Sequence, residues 1–259
     1  MYKIKMKVLK DKGIKDIPVF KSDIDDTSDM DYIPPYPLPA KNFALYLVGA
    51  PKSGKTSLMM SLLLSHPTRK RKNIPRFFYK VFDRIEFISA SHQTLPKRFR
   101  DKLPEDQIHP EYSDDLLMDI ITELKDGDNT NNLLVFDDVI RSLNRSKILS
   151  KIYLNRRHAT YDNTKEGKAG LSIITTSQKY SLLDLCNRVA QSDIILFKSS
   201  NATEINRIKD ELLHDLSKEE QEDLLTLAWS EPYSFLYIKM NEPKHKKYFV
   251  KFHPVVFEE

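Results

Sequence analysis

Eight consecutive residues, Gly49-Ala50-Pro51-Lys52-Ser53-Gly54-Lys55-Thr56, match the pattern G-x-x-x-x-G-K-[ST] in full. Residue types in this order hold phosphate chains. Backbone N–H groups of such a loop, and of the helix start that follows it, converge on anionic oxygens, and the helix dipole adds to their pull. Gly49 and Gly54 permit the tight turn and the close approach of backbone to ligand. Lys55 is expected to reach the β- and γ-phosphates of a nucleoside triphosphate and Thr56 to place its hydroxyl on Mg2+, with Ser57 extending the binding set by one residue. The chain has only six glycines, and two of them stand here at the required spacing, which argues against a chance turn.

Hydrolysis of a bound triphosphate needs a carboxylate for the metal and a group for the attacking water. The apolar run Leu133-Leu134-Val135-Phe136 ends in Asp137-Asp138. Asp137, at the end of a buried strand, would hold Mg2+, and Asp138 would orient or deprotonate the water. Motors with this arrangement usually carry Glu at the second position, so Asp138 is one methylene short. A second apolar run, Leu171-Ser172-Ile173-Ile174-Thr175-Thr176, ends in Ser177-Gln178, and Gln178 is the candidate sensor of the γ-phosphate or the water. A cation on the γ-phosphate, often donated by a neighbouring subunit, would complete such a site. Arg156, Arg157 and Arg188 are the open candidates. His158 beside them has no metal-ligand partner at useful spacing and reads as a packing or hydrogen-bonding residue.

These residues must be held by strands and helices in alternation. Residues 43–48 form a short apolar run ending at Gly49, as a buried parallel strand does, and 55–65 carries Leu58, Met59, Leu62 and Leu63 at helical spacing. Further strands are expected over 83–89, 133–136, 171–176 and 193–197. A helix is expected over 112–125, with Ser113 as its N-cap, and two more over 202–216 and 218–227. The pattern predicts an α/β fold, a mostly parallel sheet with helices on both faces. It closes on a C-terminal β-hairpin over 234–240 and 247–252, joined by a polar turn at 241–246. Residues 1–40 read as a separate extended arm and 41–259 as the domain. The arm combines an acidic patch (Asp23, Asp25, Asp26, Asp29, Asp31) with Pro34, Pro35, Pro37 and Pro39, which exclude regular helix or central strand.

Composition bounds the rest. A chain of 259 residues with 40% hydrophobic residues can build one core without disulfide or metal staples. The lone Cys186 excludes an intramolecular disulfide and a Cys-based zinc site, and reads as a buried structural thiol. No apolar run approaches the roughly 18 residues of a membrane span, and the N-terminus MYKIKMKVLK is too charged for a signal peptide, so a soluble protein that is not secreted is expected. The net charge of +4 is modest, but Arg69, Lys70, Arg71, Lys72, Arg76 and Lys80 crowd one stretch, and Lys97, Arg98, Arg100 and Lys102 another. Such clusters suit phosphate backbones.

The order GAPKSGKTS, LLVFDDV, NRRHATYDN, LSIITTSQ, NRVAQSDIILF resembles the genome-packaging ATPases of nucleocytoplasmic large DNA viruses and their virophage relatives, the poxvirus-type branch of the FtsK–HerA superfamily. The likeness covers about residues 43–197. It implies a P-loop NTPase of the RecA-like ASCE group, with the 171–176 strand lying between the P-loop strand and the 133–136 strand. It further implies ATP and Mg2+ as ligands and a homo-oligomeric ring of five or six subunits with hydrolysis at their interfaces. Double-stranded DNA would run in the pore, capsid proteins would be further partners, and the protein would be found in the host cytoplasm and the virion. By this likeness Lys55, Thr56, Asp137, Asp138 and Gln178 carry over directly, and Arg157 or Arg156 beside it would act in trans, a choice the likeness leaves open.

Other readings compete. A nucleoside or nucleotide kinase shares the phosphate loop, but needs an acceptor pocket and often an Arg-rich lid, and none is obvious in the sequence. Cellular DNA pumps of the same superfamily generally carry membrane segments or additional domains. A third reading is a non-hydrolysing nucleotide-binding structural protein, against which the intact Lys55, Thr56 and Asp137 argue.

Overall fold

The computed structural model describes residues 27, 30–128, 131–144, 146–160 and 170–257. In chain order the elements begin with β1 (Ala44–Val48), α1 (Lys55–Leu64), β2 (Arg84–Ser89), α2 (Lys97–Arg100), β3 (Ile108–His109), α3 (Asp114–Asp126) and β4 (Asn131–Asp137). Then come α4 (Ile140–Leu143), α5 (Lys147–Ala159), β5 (Gly170–Ser177), α6 (Leu185–Val189), β6 (Asp193–Phe197), α7 (Ala202–Leu212) and α8 (Lys218–Ala228). The chain ends with β7 (Phe235–Lys239), α9 (Lys244–Lys247), β8 (Tyr248–Val250) and β9 (His253–Pro254).

Among the described residues the strands make one sheet in the order β3-β2-β4-β5-β1-β6-β7-β8-β9. Neighbours from β3 across to β6 run parallel, and β7, β8 and β9 are added antiparallel. β5 does lie between β1 and β4, as expected. The central strands β1, β4, β5 and β6 are buried along their whole length, which is why they read as near-continuous apolar runs rather than alternating ones. Successive side chains point to opposite faces. Ala44, Tyr46, Leu134, Phe136, Ile173 and Ile194 meet α3, α5, α7 and α8 on one face. Leu45, Leu47, Leu133, Val135, Ile174 and Ile195 meet α1 and the rings of Phe78, Phe82 and Phe99 on the other. Helix starts are set locally: Ser113 caps α3 by accepting from the Leu116 N–H, a bond worth about 1 kcal/mol, and Ser217 with Glu220 forms a capping box on α8.

Several expectations are corrected or extended. The edge strand β3, two residues long, carries too little pattern to be expected. The C-terminal hairpin is present, but α9 fills its connection and β9 adds a third short strand. Cys186 is exposed, not buried. It sits on α6, a five-residue turn that buries Asn187 and Arg188 and leaves Leu185 and Val189 on the surface. Most of residues 1–29, including Asp23, Asp25, Asp26 and Asp29 of the acidic patch, lie outside the described residues. The stretch that follows lies against the sheet of its own chain: the Tyr36 ring meets Phe249 edge-on, and Lys239 Nζ donates to the Pro37 carbonyl at 3.0 Å. Among the described residues no helix is long and apolar enough to cross a membrane.

Candidate active site

Register brings the chemistry together. Val48 at the end of β1 pairs with Ser177 at the end of β5, and Phe136 of β4 pairs with Thr175. The residues that leave these three strands therefore emerge side by side at the C-terminal edge of the sheet, where open α/β folds bind their ligands. Gly49 N–H donates to Ser177 O at 3.0 Å, Ser53 N–H to Ala50 O at 3.1 Å, and Leu58 N–H to Gly54 O at 2.8 Å, which closes the loop onto the first turn of α1. Lys52 and Gly54 have positive φ, 65° and 108°. Gly49 is demanded by space instead: a Cβ there would lie 2.5 Å from Ser53 Oγ and 2.7 Å from Phe197 Cβ.

Lys55 is buried, and its ammonium donates to the carbonyls of Gly49 at 2.7 Å and Ala50 at 3.2 Å. Burial lowers its pKa, while Asp138 and Asp137 hold it up. Asp137, the last residue of β4, is likewise buried. Thr176 Oγ1 donates to one of its oxygens at 2.7 Å and Ser89 Oγ to the other at 3.4 Å. Burial raises the Asp137 pKa and Asp138 raises it further, against the downward pull of Thr176, Ser89 and Lys55. A buried carboxylate in this condition gains from a cation, and a carboxylate oxygen is a donor of the kind that suits a Mg2+ keeping phosphates and waters as its other ligands.

The chain turns sharply after Asp137. Asp138 has φ 54°, and its N–H donates to Thr176 Oγ1 at 3.1 Å. Thr176 thus ties both aspartates to β5. The turn leaves Asp138 exposed and pointing, with Gln178, into a cavity of about 730 Å³ that is also lined by Pro51, Lys52, Gly54, Lys55, Thr56 and Ser57. Asp138 and Gln178 also line an adjoining cavity of about 410 Å³, together with Glu111, Tyr112 and Arg141. Lys55, Thr56, Asp138 and Gln178 thus meet around one space, with Asp137 alongside.

The three arginines part company. Arg156 is committed to its own chain: it donates to the carbonyls of Asn42, Tyr153 and Ala190 at 2.8, 3.0 and 3.1 Å. Arg188 is buried, donates twice to Glu211 and once to the Leu183 carbonyl, and packs on Tyr180. Arg157 is exposed at the end of α5. That end lies by Asn42, which precedes β1, so the length of β1 separates it from the phosphate loop of its own chain. His158 is exposed as well. The basic stretch after α1 forms a small hairpin closed by Thr68 and Arg71, with Arg69, Lys70, Arg71 and Lys72 exposed. Arg76 instead stacks on Tyr32. In the second stretch Lys97, Arg100 and Lys102 are exposed, and the Arg98 side chain lies outside the described residues.

Four residues escape the sequence reading. Ser89 and Thr176 had a signal, since each is a hydroxyl residue at the end of a strand destined for the same sheet edge. Phe197, which props both glycines of the loop, and Tyr233, whose Cδ1 lies 3.4 Å from where a Cβ on Gly54 would stand, had none. Their contacts cross long stretches of sequence.

No protein-family model and no curated protein matches the chain. Solved structures do. The genome packaging NTPase B204 from Sulfolobus turreted icosahedral virus 2, in complex with ATP-gammaS, aligns at 17% identity and a TM-score of 0.53, over 83% of this chain and 98% of its own. B204, the DNA-packaging ATPase from Sulfolobus turreted icosahedral virus, aligns at 15% identity and a TM-score of 0.53, over 84% and 100%. At such identities the likeness is one of fold: this chain has the α/β architecture of P-loop NTPases, with a mostly parallel central sheet flanked by helices.

Proposed function

We propose that the chain is an ATP-hydrolysing motor that drives double-stranded DNA into a viral capsid. The observation that carries this reading is the convergence of Lys55, Thr56, Asp137, Asp138 and Gln178 at one sheet edge. ATP would lie along the loop 49–57. Mg2+, held by Thr56 and Asp137, would supply charge neutralisation at the phosphates. Asp138 would orient the attacking water, and Gln178 would report the γ-phosphate to the loops beyond β5. The fold shared with two viral packaging ATPases supports this reading, as do the resemblances in sequence order.

Arg157 is the residue we assign to a neighbour's site. It is exposed at the end of α5, and that end lies by the start of β1, so the length of β1 separates it from its own phosphate loop. A ring of five or six subunits supplies the geometry in which such a residue can act. The exposed cations of the 68–72 hairpin, with Lys97, Arg100 and Lys102, would hold DNA phosphates without reading sequence. Capsid proteins would be further partners, in the host cytoplasm and the virion.

The test is ATP turnover with and without duplex DNA at two salt concentrations. DNA should stimulate turnover, and DNA affinity should fall steeply as salt rises. An affinity indifferent to salt would remove the DNA assignment. Mixing Asp138→Asn with Arg157→Ala subunits should restore part of the activity that each lacks alone, because some interfaces then pair two intact halves. The 410 Å³ cavity beside Asp138 is a feature that would suit a kinase acceptor. ATP consumption that needs a nucleoside and ignores DNA would favour that second reading.

A further inference from the structure

The strand order divides the lining of the 730 Å³ cavity: Asp138 and Gln178 leave β4 and β5 on one side of β1, and Phe197 of β6, with Tyr233 and Phe235 at the start of β7, stand on the other, while Leu58 and Ser61 of α1 also line it. Ser61 lies five residues beyond Thr56, about 7–8 Å along the helix axis, a separation that suits a ribose and base extending from phosphates seated at the loop. We propose that the aromatic side is a nucleobase site that stacks its ligand on Tyr233 without reading the base edge, so that the chain accepts ATP and GTP alike. The proposal rests on the nucleotide-binding reading above and adds to it which residue takes the base and how selective the site is.

Three observations carry it. Tyr233 is 72% exposed, a ring left largely bare beside the phosphate loop. It holds φ 61°, a backbone conformation that a Tyr adopts rarely and that Gly or Asn would adopt more readily. Bonds on both sides pin its loop: Trp229 Nε1 donates to the Leu196 carbonyl at 3.0 Å and Ser234 N–H to Glu231 O at 3.2 Å. A strained, exposed ring on an anchored loop is a fixed platform. The chemistry of the walls sets selectivity. Apart from residues 51–57 of the phosphate loop and helix start, the polar lining side chains are the hydroxyls of Ser61 and Tyr233 and, from the β4 and β5 side, the carboxylate of Asp138 and the amide of Gln178. Sites that reject an analogue strongly do so by leaving a buried hydrogen-bonding group unpaired. Stacking has no such lever and tolerates any base.

The experiment is calorimetric titration of the full chain with Mg2+ and, in turn, the slowly hydrolysed thio-analogues of ATP and GTP and inorganic tripolyphosphate. Wild type should bind the two nucleotides within about fivefold of each other, and Tyr233→Ala should weaken both about tenfold or more. Tyr233→Ala should leave tripolyphosphate affinity unchanged, and Tyr233→Phe should bind all three as wild type does. A preference for ATP above about a hundredfold, or nucleotide binding untouched by Tyr233→Ala, would overturn the proposal while leaving the phosphate site standing. Equal losses for nucleotide and tripolyphosphate would overturn it too, because Tyr233 would then only be propping the loop. If wild type binds neither tripolyphosphate nor nucleotide, the nucleotide-binding reading falls and this one with it.

Discussion

Two buried aspartates stand at opposite ends of the sheet, Asp137 where β4 stops and Asp193 where β6 starts. Their accessibilities are 1% and 2%, and burial raises the pKa of both. Their company differs. Asp193 has Lys239 at 3.6 Å, accepts from Ser192 Oγ at 2.7 Å, and is met by the Tyr237 hydroxyl, which also reaches the Pro37 carbonyl at 2.9 Å. Every charge there has an opposite or a hydrogen bond, and the group ties segment 30–40 to the sheet. Asp137 has two hydroxyls, one of them at 3.4 Å, and a second carboxylate as its neighbour in sequence. A buried ionisable group with a complete set of partners is architecture. One left short of them beside a cavity is poised for a ligand.

The comparison can be broken most directly at Lys55. Lys55→Ala should reduce ATP turnover on the order of 10³-fold, roughly 4 kcal/mol, with far-UV circular dichroism unchanged. Comparable turnover in the variant would remove the phosphate-site assignment. The mirror experiment is Asp193→Ala, expected to cost about 3 kcal/mol of stability in urea unfolding because Lys239 and two hydroxyls lose their shared acceptor. The protein that remains folded should keep its tripolyphosphate affinity. Gly49→Ala should cost less stability than Asp193→Ala, about 2 kcal/mol, since its Cβ would press on Phe197 and Ser53. That variant should also lose phosphate binding, which Asp193→Ala should not.

The same contrast shows what a sequence can carry. The phosphate loop and the Asp137-Asp138 pair are legible because their chemistry is written in adjacent residues at strand ends. The central strands are legible because burial on both faces leaves unbroken apolar runs. The structural roles of Arg156 and Arg188 could not be read, because their partners are carbonyls and a carboxylate distant in the chain: Asn42 and Ala190 for Arg156, Glu211 for Arg188. Cys186 misled for a related reason. A five-residue helix has no periodicity to show which of its residues face inward. Ser89 and Thr176 were visible as residues but not as a pair of donors to one carboxylate, since only the register of β2, β4 and β5 brings them there.

The smallest effect sharpens the comparison furthest, because it has the opposite sign from its counterpart. In the nucleotide-free chain at neutral pH, Asp137→Asn should raise stability by on the order of 1 kcal/mol. The Asn amide removes a buried negative charge that Asp138 repels, and its carbonyl can still accept from Thr176. The pH dependence follows from linkage. A carboxyl whose folded-state pKa lies above its unfolded value binds more protons when folded, so wild type loses stability as pH rises through that raised pKa. Below about pH 3, where Asp is mostly protonated in folded and unfolded states alike, the advantage of Asp137→Asn should vanish. Urea unfolding of both proteins at about pH 3 and about pH 7.5 measures this, and added Mg2+ with nucleotide should reverse the order at the higher pH by stabilising wild type alone. A variant less stable than wild type at the higher pH without nucleotide would put Asp137 in the same class as Asp193, a structural carboxylate with all the partners it needs.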